Sequence, residues 1–295
     1  MRYRPFGVNG KAVSAASLAL SEEFKSQPAE TWRSLAIAAL ESGINAFEVT
    51  EGSPHAASGL RAAAGSLERR LLFFAWKIRG EGRPPLDARR LQDSVRSGLQ
   101  ALGGGYLDLV VIDEAAYAGM SAEAHRLLAD LKSSNLVLSA AIAGAGPLVD
   151  KALASGSFDA LASPYSLTTG WAVRRRLREA SLANLAVLGT DAFPPELCRA
   201  PTQSPTKLGL LRRSGPTAAS VGPYAFLHET RGWEADELCL AYAMTEPSLA
   251  TIQIEAVRPE VIERLAAVPD RELPTGIAAQ IEMARIDSEN RAPGR

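Results

Sequence analysis

Apolar residues along the chain follow two alternating rhythms. Short runs such as AASLAL (15–20), INAFEV (44–49), LLFFAWKI (71–78), LDLVVI (107–112) and LVLSAAI (136–142) are apolar almost throughout and read as strands buried on both faces. FDALAS (158–163), LAVLGT (185–190) and LATIQIE (249–255) repeat the pattern. Between them, apolar positions recur every three to four residues, the period of a helix with one buried face. The clearest cases are 29–42, with Trp32, Leu35, Ala36, Ala39 and Leu40, and the segment after Asp87, with Leu91, Val95, Leu99 and Leu102. Asp87 suits the N-cap of the latter, and Gly43 suits the end of the former.

About eight strand–helix pairs in one chain predict a closed (β/α)8 barrel with a parallel sheet. Upstream, VNGKAV carries the Asn-Gly signature of a hairpin, so the barrel is expected to have an N-terminal hairpin. A doubly wound sheet is the competing architecture, but it needs G-x-G-x-x-G after a strand. The nearest match, GAGPLV (144–149), has Val149 where the third glycine belongs. A single barrel is expected over 1–286, with 287–295 as a frayed tail. The long irregular stretch 194–223, carrying Lys207, Arg212 and Arg213, is expected to be a lid-like cover or a partner surface, with a floppy insertion as the alternative.

Composition narrows the function by exclusion. With 46% hydrophobic and 22% charged residues and a net charge of −1, no global field draws the 295-residue chain to nucleic acid or anionic membrane. No run approaches the ~18 apolar residues of a membrane span. The first residues, MRYRP, are not expected to be a signal peptide, and Cys198 and Cys239 form no metal or redox motif in the sequence. A cytoplasmic protein with reduced thiols and no metal is expected.

Candidate chemistry gathers at strand ends, where a barrel places its active site. FEVTEGSPHAASGL (47–60) delivers Glu48, then a polar turn with Ser53 and His55, then a helix. Lys77 and Asp113 end the next two strands, so Glu48, Lys77 and Asp113 should converge on one mouth. The plain structural account is an ion triad that satisfies a partly buried lysine. His55 suits an exposed first turn, Trp76 should face the helices rather than the barrel interior, and RRRLR (174–178) suits a solvated helix face.

The order of several motifs resembles the aldo-keto reductases. RPFGVNGKAVS looks like their N-terminal hairpin. ALESGINAFEVTEGSP resembles the stretch around Gly-Ile-Asn-Phe-Phe-Asp-Thr-Ala. FFAWKI resembles the strand ending in the family lysine, LQALGGGYLDLVVID the Leu-x-x-Leu-x-x-x-Tyr-x-Asp-Leu segment, and LADLKSSNLVLSAAIAGAG the helix and strand that follow. The resemblance implies a tetrad in which a tyrosine protonates a carbonyl, a lysine lowers its pKa, an aspartate pairs with the lysine and a histidine orients substrate.

Carried over, the aspartate position holds Glu48, the tyrosine position Ser53, the lysine position Lys77 and the histidine position Asp113. A serine hydroxyl is too weak an acid to replace a phenol, and an Asp113 carboxylate would oppose a developing alkoxide. On the cofactor side the resemblance implies Ala143 and Gly144 in place of Ser-Asn, Ala162 in place of glutamine, Tyr165 under a nicotinamide ring, and Glu255 with Arg258 near the adenosine phosphate. Glu255 favours NAD(H) over NADP(H). Within the family, this emptied tetrad resembles oxidoreductase-like inhibitors of cell division and kinase signalling in alphaproteobacteria. That likeness implies an NAD(H)-binding regulator with protein partners from those systems. The alternatives are weak NAD(P)H-dependent carbonyl reduction through His55 and a Schiff-base lyase at Lys77, which needs a lysine pKa lowered rather than raised.

Overall fold

The computed structural model describes residues 1–7, 10–22, 27–199 and 222–291. An antiparallel hairpin, β1 (Tyr3–Phe6) and β2 (Lys11–Ser14), precedes the barrel. The chain then alternates β3 (Ala16–Leu20), α1 (Ala29–Glu41), β4 (Ala46–Thr50), α2 (Pro54–Ala64), β5 (Phe73–Ile78) and α3 (Ala88–Leu102). It continues through β6 (Leu109–Asp113), the short α4 (Glu114–Ala118), α5 (Ala122–Ser133), β7 (Ala140–Ala143), α6 (Pro147–Ala154), β8 (Ala160–Pro164), α7 (Trp171–Leu182) and β9 (Ala186–Thr190). The single turn α8 (Pro195–Cys198), then α9 (Ala235–Ala243), β10 (Thr251–Ile254), α10 (Pro259–Ala267) and α11 (Ile277–Arg291) complete it. Strands β3 to β10 pair in parallel, and β10 returns to β3 to close the ring. The expected (β/α)8 barrel with its N-terminal hairpin is therefore present.

Local chemistry explains the element ends. Asp87 caps α3 by accepting from Arg90 N at 2.8 Å, and Gly103 ends that helix in the left-handed region at φ 67°. Its buried face is Leu91, Ser94, Val95, Gly98 and Leu102. Gly98 is required by a close approach, because a Cβ there would sit 2.8 Å from the Trp76 ring. Trp76 faces the helices as expected and donates from Nε1 to Ser94 Oγ at 3.0 Å.

Strand alternation divides the apolar residues into two layers. Phe47, Val49, Phe74, Val110, Ile112, Ile142, Ile252 and Ile254 pack under the helices. Ala46, Phe73, Ala75, Leu109, Val111, Ala141, Ala143, Ala160, Ala162, Ala186 and Leu188 line the interior with Phe6 and Val13 of the hairpin. The hairpin thus plugs the lower end, with Phe6 and Phe73 ring centroids 4.7 Å apart. A buried ion cluster holds it there: Asp108 accepts from Lys11 Nζ at 2.5 Å, Arg69 at 2.6 Å and Phe74 N at 2.8 Å. Barrels are usually filled by branched residues. Here small Ala143 and Ala162 stand at the upper, cavity-lining end of their strands.

Three stretches singled out in the sequence can be compared with the structure. Helix α11 runs to Arg291, into the stretch expected to fray, and 292–295 lie outside the described residues. Most of 194–223 also lies outside them. Within RRRLR only Arg175 and Arg178 are exposed. Arg174 pairs with Glu282 at 3.1 Å, and Arg176 grips Asp150 through two hydrogen bonds of 2.6 and 2.9 Å. The run suggested a solvated face and gave no sign of the acids that α6 and α11 bring to it. Among the described residues, no helix is long and apolar enough to cross a membrane.

Candidate functional site

The strand C-termini surround a cavity of about 670 Å3 lined by Ala19, Glu48, Thr50, Lys77, Arg79, Asp113, Ala143, Gly144, Ala162, Pro164, Thr190, Asp191, Gln253, Glu255 and Arg258, among others. Period-two alternation explains the gathering. Ala46, Glu48 and Thr50 face inward on β4, and Thr50 stands opposite Lys77 in the β4–β5 register. Asp113 stands opposite Ala143, and Ala143 opposite Ala162. Eight of the residues singled out from the sequence therefore meet in one cavity: Glu48, Lys77, Asp113, Ala143, Gly144, Ala162, Glu255 and Arg258. Ser53 and Tyr165 are not among its lining.

Lys77 Nζ lies 3.7 Å from the Glu48 carboxylate, whose side chain is 6% exposed. That carboxylate is the main reason the Lys77 pKa is raised; burial opposes it, and Asp191, Asp113 and Glu255 add to it. Asp191 was missed in the sequence. It follows β9 directly, has φ 52°, and accepts from Thr190 Oγ1 at 2.9 Å. Its position one residue past an apolar strand was the available signal. Glu255 is raised by burial and by Asp191 and Glu48, against the pull of Lys77. The mouth is thus a mixed field of Lys77, Arg79 and Arg258 against Glu48, Asp113, Asp191 and Glu255.

Asp113 corrects the expectation of an ion triad. Its Oδ1 accepts from Ala116 N at 2.7 Å, capping α4, and from Gly80 N at 2.9 Å, while Oδ2 sits 3.7 Å from Arg79 Nε. The triad is a lysine–glutamate pair beside a helix cap. Glu114, next along, accepts from Gly146 N at 2.9 Å and Leu148 N at 3.1 Å, so an internal carboxylate occupies the N-terminus of α6. Gly144 adjoins it at φ 148°, where a Cβ would come within 2.7 Å of Glu114 Oε2.

Ser53, expected at the tyrosine position, is 3% exposed and its Oγ accepts from Glu22 N at 3.0 Å. His55 points to Glu22 as well, with Nδ1 2.9 Å from Oε2. Burial would raise the Glu22 carboxyl, but the hydrogen bonds from His55 and from Ala56 N hold it below its ordinary value. Tyr165 is buried in the helix-side core, and burial pushes its phenol well above the ordinary range. No tyrosine and no histidine is among the residues lining the cavity.

A nicotinamide dinucleotide can be tested against these groups. The adenosine-phosphate end fits: Arg258 is exposed at the N-cap of α10, which has no side-chain cap of its own. The nicotinamide end has room over Ala143, Gly144 and Ala162, but Tyr165 does not present its ring to the cavity.

The fold matches solved aldo-keto reductases. The holo form of a Bacillus halodurans aldo-keto reductase aligns with TM-score 0.77 and 16% identity over 96% of each chain. Its apo form aligns with TM-score 0.72 and 16% identity, again over 96% of each chain. A Bombyx mori aldo-keto reductase in complex with NADP aligns with TM-score 0.71 and 15% identity, over 96% of this chain and 92% of that one. No family model and no curated protein matches by sequence. The chain has the fold of the aldo-keto reductases.

Proposed function

We propose that the chain is a catalytically impaired aldo-keto reductase homologue that binds NAD(H) across the barrel mouth and acts as a regulatory protein. One observation carries the reading. The mouth keeps a protonated lysine paired with a carboxylate, yet the hydroxyl at the proton-donor position is buried and turned to a backbone amide. Glu48 and the acids near it hold Lys77 charged, which disfavours a Schiff-base role as well.

A bound nicotinamide cofactor supplies hydride. In this chain Arg258 and the first turn of α10 hold its phosphates, and Lys77 orients a polar group above the alanine-lined interior. Glu48 keeps the lysine charged and in place. Among the described residues no tyrosine and no histidine lines the cavity to protonate a substrate carbonyl, so binding outlasts turnover. NAD(H) is preferred over NADP(H), because Glu255 near Arg258 repels a further phosphate. The partner is a cell-division or kinase-signalling component, supported by the emptied tetrad's likeness to oxidoreductase-like inhibitors of those systems. Ligand regulates that contact through its different affinity for the free and the partner-bound protein.

The test is a titration with NADH and NADPH, followed by cofactor and tryptophan fluorescence, together with a panel of carbonyl compounds. Saturable NADH binding without NADH oxidation is expected, as is NADH-dependent capture of the partner. Turnover, or no binding at tens of micromolar, overturns the reading.

A further inference from the structure

Cys198 and Cys239 are 41 residues apart in sequence, yet their Sγ atoms approach to 3.8 Å as free thiols. Cys198 ends the single-turn helix α8, whereas Cys239 sits within α9. The site is outside the barrel, in an apolar cluster with Leu197, Tyr224, Leu227 and Leu238. Cys239 is fully buried and Cys198 half-buried. Spacing alone gives no hint of this pair; the return of α9 against α8 creates it.

We propose that Cys198 and Cys239 form a reversible intramolecular disulfide when the protein meets a hydroperoxide. Cys198, the less buried of the two, reacts first: its thiolate attacks the peroxide oxygen, gives a sulfenic acid and releases an alcohol, or water when the peroxide is hydrogen peroxide. Cys239 then displaces hydroxide from that sulfur, forming the S–S bond and releasing water. Two thiols and one hydroperoxide become one disulfide, one alcohol and one water; two electrons pass from the sulfurs to the O–O bond.

Geometry favours the second step over further oxidation, because the resolving thiol is already in contact. A disulfide needs its sulfurs at roughly 2.05 Å, so they must close by roughly 1.8 Å. Closing that gap asks for side-chain rotation and a shift of α8, a single turn held by Leu197 N and Cys198 N to Pro194 O, both at 3.0 Å, by Arg199 N to Pro195 O at 3.3 Å and by His228 Nε2 to Leu197 O at 2.8 Å. The hydrogen bond to Cys198, and then burial, keep the Cys239 thiol protonated, which suits a group that waits for an activated partner.

The experiment treats the full chain with a slight excess of hydrogen peroxide, alkylates remaining thiols and maps peptides without reduction. Loss of both thiols, a peptide linking Cys198 to Cys239 within one chain, and recovery on adding dithiothreitol are expected. In Cys239→Ser, a sulfenic acid at Cys198 should persist and be trapped by dimedone; in Cys198→Ser, native Cys239 should stay unmodified. Dimedone labelling of the wild type as strong as in Cys239→Ser with no linked peptide overturns the proposal. So does a link formed only between chains.

Discussion

The Lys77 ammonium stands 3.7 Å from the Glu48 carboxylate, and the carboxylate is the more deeply buried of the two, with side chains 6% and 27% exposed. Removing the lysine therefore strands a charge that has little access to water. Lys77→Met should destabilise the fold by about 3 kcal/mol, the usual result of breaking a buried pair from one side. Lys77→Met combined with Glu48→Leu should regain more than half of that loss. Urea unfolding of the wild type and both variants measures it, and a double variant no more stable than the single one refutes the stranded-charge argument.

The same pair sets a pH dependence at the alkaline end. A raised lysine pKa means that the folded state binds its proton more tightly than the unfolded state. This stabilisation is fully present below the ordinary lysine pKa of about 10.4 and is lost as pH rises through the raised value. The stability gap between wild type and Glu48→Gln should stay level from neutral pH to about 10 and narrow above it. Thermal unfolding across that range reads the trend; a gap that narrows near pH 7 contradicts it.

Glu282 should dominate at the acid end for the α7–α11 contact. Burial pushes its carboxyl up, but hydrogen bonds from Tyr242 and Arg285 and the charges of Arg174 and Arg285 prevail and hold it at about 2. A depressed carboxyl stabilises above its unfolded pKa and loses that stabilisation as pH falls. Wild-type stability should thus decline between about pH 4.5 and 2 more steeply than that of Glu282→Gln. Because the side chain is 37% exposed, solvent screening makes the effect modest. Equal slopes for the two proteins refute it.

At the other end of the barrel, Asp108 joins Lys11 of the hairpin and Arg69 to the start of β5. Asp108→Ala removes the carboxylate from two cations that keep only backbone carbonyl acceptors, and leaves the Phe74 amide without its acceptor. A loss of about 4 kcal/mol is expected, by calorimetry or denaturant, with the hairpin becoming the first site of limited proteolysis. A variant whose hairpin stays protected would show that Phe6 packing alone retains it.

Ser53 and Arg258 separate shape from binding. Ser53→Ala should cost about 1 kcal/mol through the lost Glu22 hydrogen bond and leave NADH affinity unchanged. Arg258→Ala should weaken NADH about tenfold, or about 1.4 kcal/mol, with stability intact. Fluorescence titration of both variants checks this, and the reverse pattern would move the ligand from α10 to the α2 turn.

The architecture was legible because it is written in local periods. Apolar runs of near-continuous strand and three-to-four-residue helix spacing recur from β3 to α10, and an inward-facing strand end can be counted from them. Counted this way, Glu48, Lys77 and Asp113 fall at one mouth, where the structure has them. Orientation and pairing belong to another level, because they depend on residues far away in sequence. Asp113 caps α4 rather than joining an ion triad, since its own following turn and Gly80 present amides at shorter range than Lys77. Ser53 turns to Glu22, Tyr165 sinks into the core, Arg174 meets Glu282 across 108 residues, and two unremarkable cysteines come into contact. Hydrophobic periodicity, a property of neighbours, determined the barrel and its mouth. Only the closing of the ring and the return of the last helices decided which polar groups face the cavity and which satisfy one another beneath it.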